Sequence, residues 1–85
     1  TIKEITTMCK AGQVAEAYRL AKADYEVAPQ NVWAQREVGW ALYYMLKNDV
    51  EKKERQVFYG HLEELTRLDL LTIQTDALIF DNEVW

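Results

Sequence analysis

Residues 38–46 have the sequence VGWALYYML and contain the longest unbroken apolar run of the chain, residues 40–46. A helix that is apolar on every side is buried on every side, so we expect these residues to form the centre of a helix packed among others. Asn31 is a good N-cap and the apolar pattern stops near Lys47, so this helix is predicted over residues 32–47. The run is far shorter than the roughly 20 residues that span a bilayer, and we expect no membrane partner.

Two helices are predicted before this one. The first has apolar residues at three- and four-residue spacing, the pattern of one buried helix face: Ile2, Ile5, Met8 and Cys9. Gly12 tolerates a positive φ and ends it near Ala11. The second helix carries a similar stripe: Val14, Ala17, Tyr18, Ala21 and Tyr25. Pro29 stops it, and the short turn at Gly12 predicts an antiparallel hairpin over about residues 2–28.

A fourth helix is predicted to begin at Asn48. Glu51 follows three residues later, which is a capping-box pattern with Asn in the usual place of Ser or Thr. Apolar residues then continue at helical spacing and the helix closes near Leu70. The third and fourth helices are therefore expected to form a second hairpin over about residues 32–70.

A last helix, truncated at the end of the chain, is predicted over residues 75–85. Thr75 is its N-cap, and its apolar stripe consists of Ala77, Phe80 and Val84. Residues 70–73 are the only candidate for a strand and are too short without a partner. We expect an all-α fold of about five helices that forms one domain over residues 1–85.

Composition and charge exclude several classes of protein. The chain is 49% hydrophobic and 28% charged with only three Gly and one Pro, which is typical of a globular helical protein. Its net charge is −4, and the basic residues of 47–55 alternate with Asp49, Glu51 and Glu54. Because nucleic acid is bound by clustered Lys and Arg, we expect no direct nucleic-acid partner. The single cysteine, Cys9, excludes an internal disulfide and a cysteine-rich zinc site and suits a cytoplasmic location.

Both ends of the chain look cut. The sequence starts at Thr1 without Met and stops at Trp85 inside an apolar pattern. We therefore expect a piece of a larger protein, and the apolar surface at cut ends can bring two copies together as a dimer.

The helix hairpins resemble the tetratricopeptide repeat, a helix pair of about 34 residues. Four residues of the first hairpin carry the resemblance: Gly12 at the turn, Ala17 at the small-residue position, Ala21 where Phe is usual and Pro29 at the boundary. One period later, residues 38–39 fall on the Leu-Gly pair and Leu42 on the Tyr. Ile5, Gln35 and Leu42 depart from the pattern, and the turn after the third helix is about seven residues too long for it. The resemblance implies a short right-handed superhelix whose concave groove is lined by the first helix of each pair.

A second resemblance covers nearly the whole chain and depends on the order of its aromatic and polar clusters. These are Cys9-Lys10-x-Gly12, Glu16-Ala17-Tyr18, Ala21-Lys22-Ala23-Asp24, Pro29-x-Asn31-x-Trp33-Ala34, Trp40-x-Leu42-Tyr43-Tyr44-x-Leu46-Lys47 and Phe80-Asp81-Asn82. The chain is similar in this respect to the helical-repeat domain of bacterial TOTE conflict systems, which accompanies primase, helicase and nuclease components. The resemblance implies an accessory or sensor segment whose chemistry is carried elsewhere.

The candidate binding residues lie on the third helix. On the tetratricopeptide register, six residues fall on or near the groove: Trp33, Arg36, Trp40, Tyr43, Tyr44 and Lys47. Exposed Trp, Tyr and Arg dominate binding energies. The alternative is that the aromatic residues are core between stacked helices, and we expect at least Arg36, Tyr43 or Tyr44 to be partly exposed.

No catalytic, cofactor or metal residue is predicted. His61, the only histidine, has Glu64 three residues on and suggests half of a carboxylate-rich metal site, but no second histidine exists, so we interpret it as a surface or rim residue. Glu63, Glu64 and Asp69 are interpreted as a solvated face rather than as general acids or bases. Cys9 is interpreted as a small buried hydrophobe. Serine is absent, which excludes a serine nucleophile.

The preferred function is a non-catalytic protein–protein interaction module that contacts another protein or a flanking domain of the same chain. A structural spacer or capping segment inside a multidomain enzyme is the alternative, and burial of Trp33, Tyr43 and Tyr44 discriminates between them. A helix-turn-helix that reads DNA is the third interpretation, because the Gly12 turn can mimic that motif. The second helix, however, has only two basic residues, Arg19 and Lys22, against three acidic ones.

Overall fold

The computed structural model describes residues 1–68, which form four helices. They are α1 (Ile2–Lys10), α2 (Val14–Val27), α3 (Val32–Lys52) and α4 (Arg55–Arg67). Residues 1–68 contain no strand, so the predicted all-helical class is confirmed for this part of the chain. The helix predicted over residues 75–85 and the strand candidate at residues 70–73 lie outside the described residues.

The first two helices end and begin where local signals place them. Gly12 has φ +88°, as the predicted turn requires, and the Gln13 amide donates to the Met8 carbonyl at 2.9 Å. Only three residues separate α1 from α2, and the two helices pack against each other. A connection this short turns the chain back on itself, so the pair forms a helix hairpin.

The predicted N-cap of α3 is also present. The Asn31 side-chain oxygen accepts hydrogen bonds from the amides of Trp33 at 2.8 Å and Ala34 at 3.2 Å. These bonds satisfy two amides that have no partner within the helix. The Gln35 side-chain amide donates to the Pro29 carbonyl at 2.9 Å and ties the first turn of α3 to the preceding loop.

The predicted end of α3 at Lys47 and the predicted start of α4 at Asn48 are both wrong. The helix continues through Asn48 and ends at Lys52, and Lys53 then adopts a left-handed conformation with φ 58°. α4 begins at Arg55 after a connection of two residues. The extra residues therefore lengthen the helix rather than the turn. The physical reason is tertiary: Asp49, in this last part of α3, is buried and is paired with a side chain of α4.

α3 is the central helix, as predicted, because it packs against each of the other three. The buried apolar side chains form one cluster: Ile5, Cys9, Ala17, Ala21, Val38, Ala41, Leu42, Leu46, Phe58 and Leu65. Ala17 and Ala21 are fully buried, and their small size lets α2 lie close to its neighbours. The expectation that the centre of α3 is buried on every side is wrong, since Trp40, Tyr43 and Tyr44 are only half-buried.

None of the helices in the described part of the chain is long and apolar enough to cross a membrane.

Candidate functional site

Within residues 1–68, one side of α3 is only partly covered by the other helices and carries all six predicted binding residues, here called the aromatic stripe: Trp33, Arg36, Trp40, Tyr43, Tyr44 and Lys47. At 3.6 residues per turn they occupy an arc of about 100°. Trp33 is 63% exposed, Arg36 and Lys47 are exposed, and the other three are half-buried. The buried residues of α3, such as Leu42 and Leu46, lie outside this arc.

The middle of the stripe is a cluster of three rings. The ring centroids of Trp40 and Tyr43 are 5.6 Å apart and those of Tyr43 and Tyr44 are 5.3 Å apart, both in edge-to-face arrangements. Trp40 and Tyr44 are tilted and 6.2 Å apart. Tyr44 also packs against the core. Edge-to-face contacts are favourable arrangements for aromatic rings, so the cluster is held in place while one side of it stays open to solvent.

Trp33 and Arg36 form the amino-terminal end of the stripe. The Arg36 guanidinium carbon lies 5.1 Å from the centroid of the Trp33 ring, within the range of a cation–π contact. Beside Trp33 is an open depression of about 400 Å³ that is also lined by Ile2, Lys3 and Glu37. Val32, next to Trp33 in sequence, is itself exposed and was not singled out from the sequence.

The stripe carries positive charge at both ends. Arg36 lies near its start and Lys47 at its last turn, and no acidic residue belongs to it. None of the ion pairs formed within residues 1–68 involves either cation. Glu37 and Asp49 are the acidic residues of α3 nearest these cations in sequence, and both are buried. The face is therefore aromatic in its middle and basic at its ends.

His61 has a partner that sequence reasoning missed. Its Nδ1 lies 2.6 Å from Oδ2 of Asp49, and the whole Asp49 residue is 4% exposed. The His61 side chain is 23% exposed, which places it at the rim. With the Asp49 carboxylate as acceptor, Nδ1 carries the proton and donates. Because the two residues are on different helices, the pair fastens the carboxyl end of α3 to α4.

Glu64 is also half-buried and paired, so its prediction as a solvated residue is wrong. Its Oε1 accepts from Nζ of Lys22 at 3.2 Å and from the guanidinium of Arg67 at 3.4 Å. Burial raises the pKa of Glu64, but Tyr18, Lys22 and Arg67 together outweigh burial and lower the pKa. A carboxyl with a lowered pKa is a poor general acid near neutral pH, and this group instead links α4 to α2. Burial, helped by the neighbouring Glu64 carboxylate, raises the pKa of Tyr18.

Two of the remaining candidates, Cys9 and Glu63, lie within the described residues. Cys9 is buried in the core as predicted, and burial raises the pKa of its thiol. A raised pKa keeps the thiol protonated and unreactive. Glu63 is exposed, and Asp69 lies outside the described residues. Within residues 1–68, no three His, Cys, Asp or Glu side chains are grouped so that they could hold a metal ion.

Of these features, the His61–Asp49 pair and the Glu64 cluster join helices to one another, whereas the aromatic stripe presents side chains to solvent. No protein family, curated protein or solved structure matches this chain.

Proposed function

We propose that the chain is a non-catalytic protein–protein interaction module and that the aromatic stripe is its docking face. The observation that carries this proposal is the 63% exposure of Trp33, on the same side of α3 as two exposed cations and three half-buried rings. A spacer would bury Trp33, Tyr43 and Tyr44 together. Instead these residues share one open side of a helix.

The physical basis is the free energy available on that face. A Trp side chain buries up to about 250 Å², so covering the exposed part of Trp33 removes roughly 150 Å² from water, worth about 4 kcal/mol before the costs of association. The ring cluster adds area that is already held in one arrangement, which lowers the entropy lost on binding. Trp, Tyr and Arg are the residue types that most often act as binding hot spots.

The architecture within this proposal is a tetratricopeptide-like pair of hairpins whose third helix lines a groove. It is supported by two hairpins with connections of three and two residues and by the central place of α3. We further propose that the chain is an accessory or sensor segment of a larger cytoplasmic bacterial protein, in line with the resemblance to TOTE conflict systems. The partner is then another protein or a flanking domain.

The spacer alternative also has an observation in its favour. Tyr44 packs against the core as a structural residue would, and a flanking domain that covers the stripe would satisfy both interpretations. They differ in whether the occupant dissociates as a separate protein.

Site-specific photocrosslinking tests the proposal. A photoreactive phenylalanine analogue is placed at Tyr43, on the stripe, and in a control at Leu20, which is exposed on α2. Both chains are checked for helicity by circular dichroism and illuminated in bacterial lysate.

We expect a defined protein adduct from position 43 only. This adduct should be lost when Trp33→Ala and Arg36→Ala are introduced into the chain that carries the analogue at position 43. The matched Arg19→Ala/Leu20→Ala change, off the stripe, should leave the adduct intact. Equal adducts from positions 43 and 20, or an adduct that survives the stripe substitutions, would contradict the proposal.

A further inference from the structure

We propose that the aromatic stripe binds an amphipathic helix whose polar residues are acidic. This inference rests on the proposed function and names the chemistry of the partner. Three observations carry it: the spacing of the stripe residues, the sign of their charges, and the ring cluster between them.

The spacing of the stripe residues along α3 favours a helix as the binding partner. Trp33, Arg36, Trp40, Tyr43 and Lys47 follow one another at intervals of three, four, three and four residues. A mean interval of 3.5 residues produces a nearly straight seam along which a second helix packs at a shallow angle. α3 is continuous from Val32 to Lys52, so the seam has no break. It is about 21 Å long at 1.5 Å per residue, which matches four turns of a partner helix.

The charges select an acidic partner. Arg36 and Lys47 are about 16 Å apart along the helix axis, and both are exposed. Glu51, one turn beyond Lys47, forms no ion pair with it among the contacts of residues 1–68. Lys3 lines the depression beside Trp33 together with Glu37, whose carboxylate is paired with the Thr1 ammonium at 3.2 Å, so the positive charge of the stripe itself is that of Arg36 and Lys47. Carboxylates about three turns apart on a partner helix would meet both ends of the stripe, whereas a basic helix would be repelled.

The rings in the middle of the seam favour apolar side chains on the partner helix, between its carboxylates. Trp40 and Tyr43 are half-buried and, unlike Tyr44, are not packed against the core cluster formed within residues 1–68. Their open sides form an apolar surface that a Leu, Ile or Phe of the partner would cover. The partner is therefore a helix with apolar residues at heptad spacing along one side and Glu or Asp flanking them.

Synthetic peptides binding to the full chain of 85 residues test this inference. The first peptide is a four-turn helix with Leu at the heptad seam positions and Glu flanking them. The second has Lys in place of Glu, and the third has the composition of the first rearranged into strict alternation, which removes the apolar helix face. Binding is followed by Trp fluorescence and by calorimetry, at low and high salt.

We expect the acidic amphipathic peptide to bind at least about tenfold more tightly than the other two, and more weakly as salt is added. Arg36→Glu/Lys47→Glu should reverse the preference, so that the basic peptide binds better. The matched control, Lys10→Glu/Arg55→Glu, makes the same charge change off the stripe on α1 and α4 and should leave the preference as it is. Circular dichroism checks that both variants fold.

Three outcomes would overturn the inference. If the acidic and basic peptides bind equally well, the partner is not selected by charge. If the rearranged peptide binds as well as the first, the partner is not selected as an amphipathic helix. Residues 69–85 carry four acidic residues and no basic one, so they are themselves a candidate occupant. If the chain binds acidic peptide only after Asp76→Asn/Asp81→Asn/Glu83→Gln, the stripe belongs to that segment and not to a partner. If a protein is crosslinked at Tyr43 but the acidic peptide binds no better than the others, the proposed function is supported and this inference is refuted.

Discussion

The Asp49–His61 pair provides a direct test of where α3 ends. If the helix stopped at Lys47, Asp49 would lie in a solvated connection and would not interact with His61. In the structure the helix continues and the two side chains are 2.6 Å apart. The perturbation is a double-mutant cycle that consists of His61→Ala, Asp49→Ala and the two together.

The expected magnitude follows from burial. Removing the partner of a fully buried charged group costs about 3–5 kcal/mol, mostly because that group stays buried without a partner. The Asp49 side chain is 5% exposed, but the His61 side chain is 23% exposed, so water enters part of the gap. We therefore expect His61→Ala to lower the free energy of unfolding by about 2–3 kcal/mol. Asp49→Ala should cost less, about 1–2 kcal/mol, because the histidine left behind can reach water. The coupling energy of the cycle should be about 1–2 kcal/mol.

The assay is urea unfolding at neutral pH followed by far-ultraviolet circular dichroism. The midpoint should fall while the slope stays constant, since the surface exposed on unfolding is nearly unchanged. Glu63→Ala, an exposed change two residues from His61, is the control and should alter stability by less than about 0.5 kcal/mol. A coupling energy below about 0.3 kcal/mol, within the range of additivity for independent sites, would refute both the pair and the extended end of α3.

Three further predictions concern the turn after α3, the Glu64 cluster and the core. Lys53→Gly should stabilise the chain by about 0.5–1 kcal/mol, because Lys53 has φ 58° and glycine adopts that conformation without steric cost. Lys52→Gly, within the helix, should lower the urea midpoint, and a fall for both would contradict this account. The pKa of Glu64 lies below its ordinary value of 4.5, so its contribution to stability is present above that pH and is lost as pH falls through the folded value. Glu64→Gln should therefore lower stability at pH 7 and flatten its decline towards pH 3, and an equally steep decline would show that other groups are responsible. Leu42→Ala, at a position with 0% exposure, should cost about 2–5 kcal/mol, and calorimetry showing less than about 1 kcal/mol would place Leu42 outside the core.

Local sequence signals predicted the first half of the chain well. Gly12 ends the first helix region, and Asn31 caps α3 with hydrogen bonds to amides two and three residues ahead. Such signals act within one turn of chain, so a short stretch of sequence contains all the atoms involved. The alternation of apolar residues at helical spacing likewise predicted the buried face of α1, where Ile5 and Cys9 are in the core.

The expected partial exposure of Arg36, Tyr43 or Tyr44 is confirmed, because Arg36 is exposed and the two tyrosines are half-buried, but the sequence left open whether Trp33 and Trp40 are core. Helical spacing alone places Trp33, Trp40 and Tyr43 on one side of α3. It cannot say which neighbour covers that side, because the answer depends on where the other three helices pack. In the structure they bury Val38, Leu42 and Leu46 on other sides of α3 and leave Trp33 63% exposed.

The sequence by itself determined that this protein is helical, where its first turn lies and which residues cap α3. Tertiary structure decided how far α3 extends and which of its sides remains open. Asn48 and Glu51 have the local pattern of a helix start, yet the helix continues through them because Asp49 finds its partner twelve residues later in His61. A local cap contributes about 1 kcal/mol, and a buried pair that would otherwise leave a carboxylate without a partner outweighs it.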